Sequence, residues 1–348
     1  MLEGLKNKLC EWLSGGPQSD VAVCSRAVLA RNIAGYPFIP KAKPQEIARL
    51  EELLRGKIMA GPLRPELEYH RVDWLDPLRR ELLVERRLMD RDHALATWVR
   101  AVAFCADESL SLIVNEEDHL RVQVTYGGLQ LEQAWQDANR TDDALAEVIP
   151  FAFSASYGYL TASPTDCGTG LRASVTVHLP ALVIARELDK VLEAAQRRRC
   201  AVRGYYADTT HAAADFYHLF NQATLGVAEE DLVAQVSQAA QEAIALERAC
   251  RENLCHCHRS ELKSKLDHAL HLLASASAIS SEEALNLLSQ VRMGVEIQLT
   301  QSADRQTLNE LMLLTLPAHL QTMEGRRTEG PKGNRLRAEY IRRRLGLN

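Results

Sequence analysis

Glu229 divides this chain into two kinds of polypeptide. After it, residues 229–254, 259–274, 281–296 and 303–315 repeat Leu, Ala, Val and Met at three- and four-residue intervals, with no strand signal between them. Each such segment has one apolar stripe to bury, so four in succession predict an all-helical region. Before Glu229 the pattern is mixed. Runs of β-forming residues at 99–105, 110–114 and 120–125 read as an antiparallel meander, with an acidic stretch at the junction of the last two. Helical periodicity covers 129–148 and 180–198, with Pro180 suited to a first turn, and further strands are expected at 173–178, 201–205 and 216–220. The fold expected is α+β: an antiparallel sheet flanked by helices, followed by an all-helical C-terminal domain. The expected divisions are an N-terminal helix and linker at 1–20, a sheet domain at 21–250 and a helical dimerisation or regulatory domain at 251–348. Leu2, Leu5, Leu9 and Leu13 would share one face of the first helix, which Ser14-Gly15-Gly16-Pro17 breaks, and a second helix is expected to begin near Pro44.

A net charge of −5 over 348 residues does not provide the broad basic face that coating nucleic acid requires, so no nucleic-acid partner is expected. Charges interrupt the first helix where a signal peptide would be apolar, and no apolar run reaches bilayer length. A cytoplasmic protein without a membrane partner is the expectation. Its eight cysteines are too scattered for a disulfide framework and should be free thiols. Cys255-His256-Cys257-His258 invites a zinc reading, but helical neighbours one and two residues apart diverge, whereas zinc needs converging ligands. Exposed helix residues, and no metal site, are expected there.

Three segments carry chemistry. The first is Asn115-Glu116-Glu117-Asp118-His119-Leu120-Arg121, the second Cys167-Gly168-Thr169-Gly170-Leu171-Arg172-Ala173-Ser174, and the third Val202-Arg203-Gly204-Tyr205-Tyr206-Ala207-Asp208. Alone, each reads as an acidic turn, a Gly-rich turn or a strand end. Their order, their spacing and the arginine in each closely resemble the ATP:guanido phosphotransferases, and within them the bacterial protein-arginine kinases. The resemblance covers nearly the whole chain, including the helical region.

The resemblance implies ATP and magnesium as cofactors. It places Cys24, Ser25, Arg26, Arg87, Arg121, Arg172, Ala173, Ser174, Val175, Thr176, Arg203 and Gly204 around the nucleotide, with Arg26, Arg121, Arg172 and Arg203 clamping its phosphates. Guanidinium groups suit that task because they donate paired hydrogen bonds and stay charged. The Gly168-Thr169-Gly170 turn would let backbone amides approach the nucleotide. Glu117, Asp208 and Ser163 are the implied catalytic residues, with Glu116 or Asp118 supporting magnesium through water or bracing the loop, and His119 structural. The implied substrates are proteins with exposed arginine, with homodimerisation through the helical region and a regulatory protein partner.

Departures from the family pattern qualify this. Ser163 stands where the family has a reactive cysteine, and Val28 where it has a phosphate-binding arginine. Asp208 replaces a glutamate, and Arg87 replaces a histidine near the nucleotide. Near the C-terminus, Gly333-Asn334-Arg335-Leu336-Arg337-Ala338 keeps only the last two residues of the family's Arg-Asp-x-x-Arg-Ala phosphoarginine motif, so a basic, solvated helix end is expected. A silent pseudokinase serving as a nucleotide-binding regulatory or scaffolding partner is the competing expectation. A free-arginine kinase is disfavoured, since the helical N-terminal domain that closes over small guanidines is missing.

Overall fold

A computed structural model describes residues 10–61, 63, 66–204, 213–325, 328 and 330–347. Its centre is one antiparallel sheet of eight strands, β1 (Ala22–Arg31), β2 (Leu67–Arg71), β3 (Ala101–Cys105), β4 (Leu110–Val114), β5 (Leu120–Gly127), β8 (Leu171–His178), β9 (Cys200–Gly204) and β10 (Phe216–Asn221), in the order β2-β3-β4-β5-β1-β8-β10-β9. Strands β6 (Phe153–Ser154) and β7 (Gly158–Tyr159) form a separate two-stranded ribbon. The helices are α1 (Pro44–Ala60), α2 (Pro77–Glu85), α3 (Arg91–Leu95), α4 (Leu131–Ala146), α5 (Pro180–Ala185), α6 (Asp189–Arg197), α7 (Glu229–Cys257), α8 (Arg259–Ser275), α9 (Ser281–Glu296), α10 (Arg305–Leu314), α11 (Pro317–Glu324) and α12 (Pro331–Leu345).

The strand period of two sorts the sheet into unlike faces. Ala27, Leu29, Val122, Val124, Ala173, Val175, Val177 and Leu219 belong to one apolar core with residues of α1, α4 and α7. On β5 and β8 the alternate residues are polar: Arg121, Gln123 and Thr125 on one, Arg172, Ser174 and Thr176 on the other. Register places Arg26 between Thr125 and Ser174, Val28 between Gln123 and Arg172, and Arg203 opposite His218. On the β2–β4 side this second face is covered by α2 and α3, where Leu83, Leu88, Met89 and Ala94 pack on Val102, Phe104 and Ile113. Around Arg26, Arg203 and His218 the face borders a cleft.

Several sequence expectations need correction. Residues 180–198 form two helices, because Arg186 caps α5 in the left-handed conformation (φ 59°) and the chain restarts at Asp189. Helices α2 and α3 were not among the sequence expectations; each follows an aspartate, with Asp76 capping α2 through the Arg79 amide. Of the expected first helix, residues 1–9 lie outside the described residues and Glu11–Leu13 make a single 3₁₀ turn. Helix α7 buries Val233, Val236 and Ala240 in the sheet's core, and its Glu247 accepts the Ala181 and Leu182 amides that open α5.

The remaining helices build a second core with Trp12, Leu13 and Phe216. Among the described residues every large apolar side chain left exposed lies at or before Leu225, so the C-terminal stripes are satisfied within the chain. The basic end is only partly solvated. Arg337 is buried and donates to the carbonyls of Thr315 (2.7 Å) and Ile279 (2.9 Å) and to Asn334 Oδ1 (2.9 Å), while Arg344 pairs with Glu310.

One buried ion pair ties β1 to α4. Arg31 donates from Nε (3.0 Å) and Nη2 (2.7 Å) to Asp142 Oδ2, and its guanidinium lies 3.5 Å from the centre of the Tyr159 ring. Removing one member leaves a charge buried without its partner, so Asp142→Ala should destabilise the fold by about 3–5 kcal/mol in urea unfolding.

Candidate active site

The polar sheet face collects four guanidinium groups around one imidazole. Burial of His218 on β10, and after it the field of Arg26, Arg87, Arg172 and Arg203, pushes its pKa down to about 3. Thr176 Oγ1 lies 3.3 Å from His218 Nδ1, and the ring of Phe220 receives Arg172 (5.5 Å) and Arg203 (5.2 Å). Gathering four like charges on one face of the sheet suits this arrangement to a polyanion.

A cleft of about 960 Å³ opens over these groups. Arg26, Arg203, Gly204 and His218 line its sheet side, α2 and Arg87 another wall, and Leu316, Pro317, Ala318 and Gln321 at α11 the far wall. Arg87 adopts a left-handed conformation (φ 61°), stacks 4.5 Å from the Trp12 ring centre and approaches Cys24 Sγ at 4.0 Å. The volume and the cationic lining fit a nucleoside triphosphate.

A second cavity, of about 980 Å³, adjoins the first, and Asp90 lines both. Its walls carry Asp92, Glu116, Glu117 and Arg121 beside Trp98, Ile39 and Ile47. Arg121 pairs with Glu116, and its Nη2 lies 3.3 Å from Glu117 and 3.8 Å from Asp118. Burial pushes the Glu116 carboxyl up to about 7 despite Arg121, whereas Glu117 is 48% exposed. Acid groups beside apolar and aromatic walls make a pocket for a cation with a hydrocarbon stem.

The three motifs therefore converge, but the expected residues divide. Arg26, Arg87, Arg203 and Gly204 line the first cleft, Glu117 and Arg121 the second, and Arg172 stands behind them bound to Asp166 (2.6 Å). Ser174 and Thr176 share the polar face, Ser174 Oγ donating to the Arg26 carbonyl at 3.3 Å. Ser25, Ala173 and Val175 do not face the cleft: Ala173 and Val175 sit in the apolar core, while Ser25 Oγ donates to the Gly128 carbonyl and accepts the Gln130 amide. The period of the strand decides this, because every second residue of a matched run must point away. Ser163 lies in a turn, its hydroxyl 2.8 Å from Thr165 Oγ1. Asp208 falls outside the described residues.

The glycine turn at 168–170 is also corrected. A Cβ on Gly168 would meet the Thr224 carbonyl oxygen at 2.4 Å, and one on Gly170 the Ala30 oxygen at 2.6 Å. The Gly168 and Thr169 amides are taken by the carbonyls of Tyr159 and Thr224. These glycines permit close packing of the chain on itself. Asp118 likewise braces the loops, accepting from Asn32 Nδ2 and the Ala162 amide at 2.7 Å each, and His119 Nδ1 accepts the Ile33 amide while Nε2 donates to Pro37. Sequence reasoning missed His218, Asp90, Asp92 and Trp98, which belong to no recognisable motif and join the site only when the sheet folds.

The sign of one pH effect follows. His218 titrates at 6.5 when unfolded and near 3 when folded, so the unfolded chain binds the proton first and stability falls as pH drops through that window. His218→Gln should flatten the decline in melting temperature between about pH 6.5 and pH 4, and saturating inorganic phosphate should flatten it in the unaltered chain by offsetting the arginine field.

Comparison with known proteins agrees with this layout. Residues 53–250 match the ATP:guanido phosphotransferase C-terminal catalytic domain, and residues 259–348 the protein-arginine kinase McsB C-terminal domain. The protein-arginine kinase of Halothermothrix orenii is 39% identical over 349 residues, spanning 99% of each chain, and that of Symbiobacterium thermophilum 39% identical over 340 residues, spanning 96% of each. Among solved structures, a duplicated taurocyamine kinase from Schistosoma mansoni with bound transition-state-analogue components aligns with a TM-score of 0.63 at 22% identity, over 76% of this chain and 39% of that one. A lombricine kinase aligns with a TM-score of 0.60 at 22% identity, over 71% of each chain. An arginine-lined cleft beside an acidic cavity on an antiparallel sheet, with full-length relatives of this similarity, establishes that the chain belongs to the ATP:guanido phosphotransferases.

Proposed function

We propose that this protein transfers the γ-phosphoryl group of ATP to arginine side chains of other proteins. The observation that carries the reading is the shared wall at Asp90, where a cationic cleft sized for a nucleotide meets an acidic cavity sized for a guanidinium and its stem. Magnesium would enter with the nucleotide and would supply further positive charge to the transferring phosphoryl group. Arg26, Arg87 and Arg203 offset the triphosphate's charge, with Arg172 reinforcing them. In the acceptor cavity Glu117 holds the incoming guanidinium and takes its proton as the nitrogen–phosphorus bond forms and the bond to the bridging oxygen breaks, with ADP leaving. The proton transfer is needed because a guanidinium has no free lone pair. Glu117 is the better placed of the two for that transfer, because it is exposed to the cavity while Glu116 is buried and paired with Arg121.

We assign Asp208 and Ser163 supporting parts on the family pattern alone. The competing reading, a silent nucleotide-binding scaffold, rests on Val28, Ser163 and Asp208. Incubating the full chain with magnesium-ATP and an arginine-bearing protein, then detecting phosphoarginine at neutral pH, tests the two: product supports the kinase, and nucleotide binding without product supports the scaffold. Neutral handling matters because acid cleaves the phosphorus–nitrogen bond. A homodimer, if formed through residues 251–348, would use polar surface, since the apolar stripes there are already covered. A cytoplasmic setting accords with such chemistry on intracellular proteins, and among the described residues no helix is long and apolar enough to cross a membrane.

A further inference from the structure

Helix α11 belongs to the C-terminal helices, yet it forms a wall of the cleft that Arg87 enters. It is held there by a directional chain of buried polar contacts. Glu85, the last residue of α2, accepts the Ala318 amide at Oε1 (2.7 Å) and the His319 amide at Oε2 (3.0 Å). His319 Nδ1 lies 2.7 Å from the same Oε2, and His319 Nε2 lies 3.3 Å from Arg86 Nη1. Because arginine can only donate, Nε2 accepts, and the ring proton must sit on Nδ1 facing Glu85. Arg86 completes the chain with two donations to Glu108, at 2.7 Å from Nε and 2.5 Å from Nη2. Arg86, Glu108 and His319 are each 3% exposed or less.

Arg87 follows Arg86 directly, and its left-handed backbone is a conformation that a non-glycine residue keeps only where its surroundings hold it. Those surroundings are visible: the Arg87 amide donates to the Val84 carbonyl at 2.9 Å, its carbonyl accepts from Gln123 Nε2 at 2.8 Å, and Arg86 is clamped on two sides. The clamp spans both parts of the molecule, since Glu108 lies between β3 and β4 and His319 on α11.

We infer that Glu85, Arg86 and His319 are positioning residues that tie the seating of α11 to the placement of Arg87 in the nucleotide cleft. This deepens the kinase reading and rests on it. A linkage of this kind is reciprocal: if α11 stabilises the nucleotide-ready Arg87, nucleotide must stabilise the seated α11.

The test uses the full-length protein and magnesium-ATP. His319→Ala should raise the calorimetric Kd for magnesium-ATP about tenfold. Arg87→Ala should also raise it, and the double variant should be no weaker than Arg87→Ala alone, since both changes remove one effect. In hydrogen exchange, magnesium-ATP should slow the amides of 318–324 in the unaltered protein and leave their rates unchanged in Arg87→Ala. Unchanged affinity in His319→Ala, or effects that simply add, would overturn the inference and reduce the contacts to scaffolding. Should His319→Ala fail to fold, Glu85→Gln probes the same seat, and the exchange experiment needs no change on α11. Failure of the unaltered protein to bind magnesium-ATP would sink the kinase reading itself, a result distinguishable from the others.

Discussion

Glu117→Gln is expected to lower phosphoryl transfer to arginine by about 10²–10⁴-fold while leaving the Kd for magnesium-ATP unchanged. The split arises because Glu117 lines the acceptor cavity and not the cationic cleft. The amide keeps the shape and the contact with Arg121 but can neither accept a proton nor offset the guanidinium's charge. Glu116→Gln is the control, and should cost less. Its carboxyl is buried and raised to about 7, so near neutral pH it already spends much of its time protonated. Initial rates of phosphoarginine formation, with calorimetry on the same preparations, check both statements. A larger loss in Glu116→Gln than in Glu117→Gln would move the proton acceptor to Glu116.

Restoring Val28→Arg, Ser163→Cys and Asp208→Glu together is expected to raise turnover by about 100-fold or more over the natural chain, since one missing preorganised donor or a displacement near 1 Å each costs on that order. Position 28 is where the structure makes the gain understandable. Val28 lies on the polar face between Gln123 and Arg172, one strand step from Arg26, and is 7% exposed. A guanidinium there would enlarge the cation cluster that His218 already senses. Turnover by the natural chain equal to that of the restored chain would mean that Arg87 supplies the charge Val28 lacks. Nucleotide binding by both without product would favour the scaffold.

What the sequence determined by itself is the local and the periodic. Alternation at 110–114 and 120–125 defined strands with the acidic loop between them, and three- and four-residue spacing after Glu229 defined helices, because both patterns follow from where successive side chains point. The arginines at 26, 121, 172 and 203 were legible through resemblance: each sits in a short run that matches the family's pattern. Tertiary structure decided which members of those runs face the site. Arg172, Ser174 and Thr176 lie on the polar face of the sheet, while Ala173 and Val175 enter the core, a division set by register against β1 and β10. It also brought in residues with no local signature. His218 acquires meaning only from four guanidinium groups on other segments, Asp90 only by standing between two cavities, and His319 only because α11 folds back onto α2 about 230 residues upstream. Contacts at such separations depend on the closure of the whole chain and leave no periodic trace within any one segment of it.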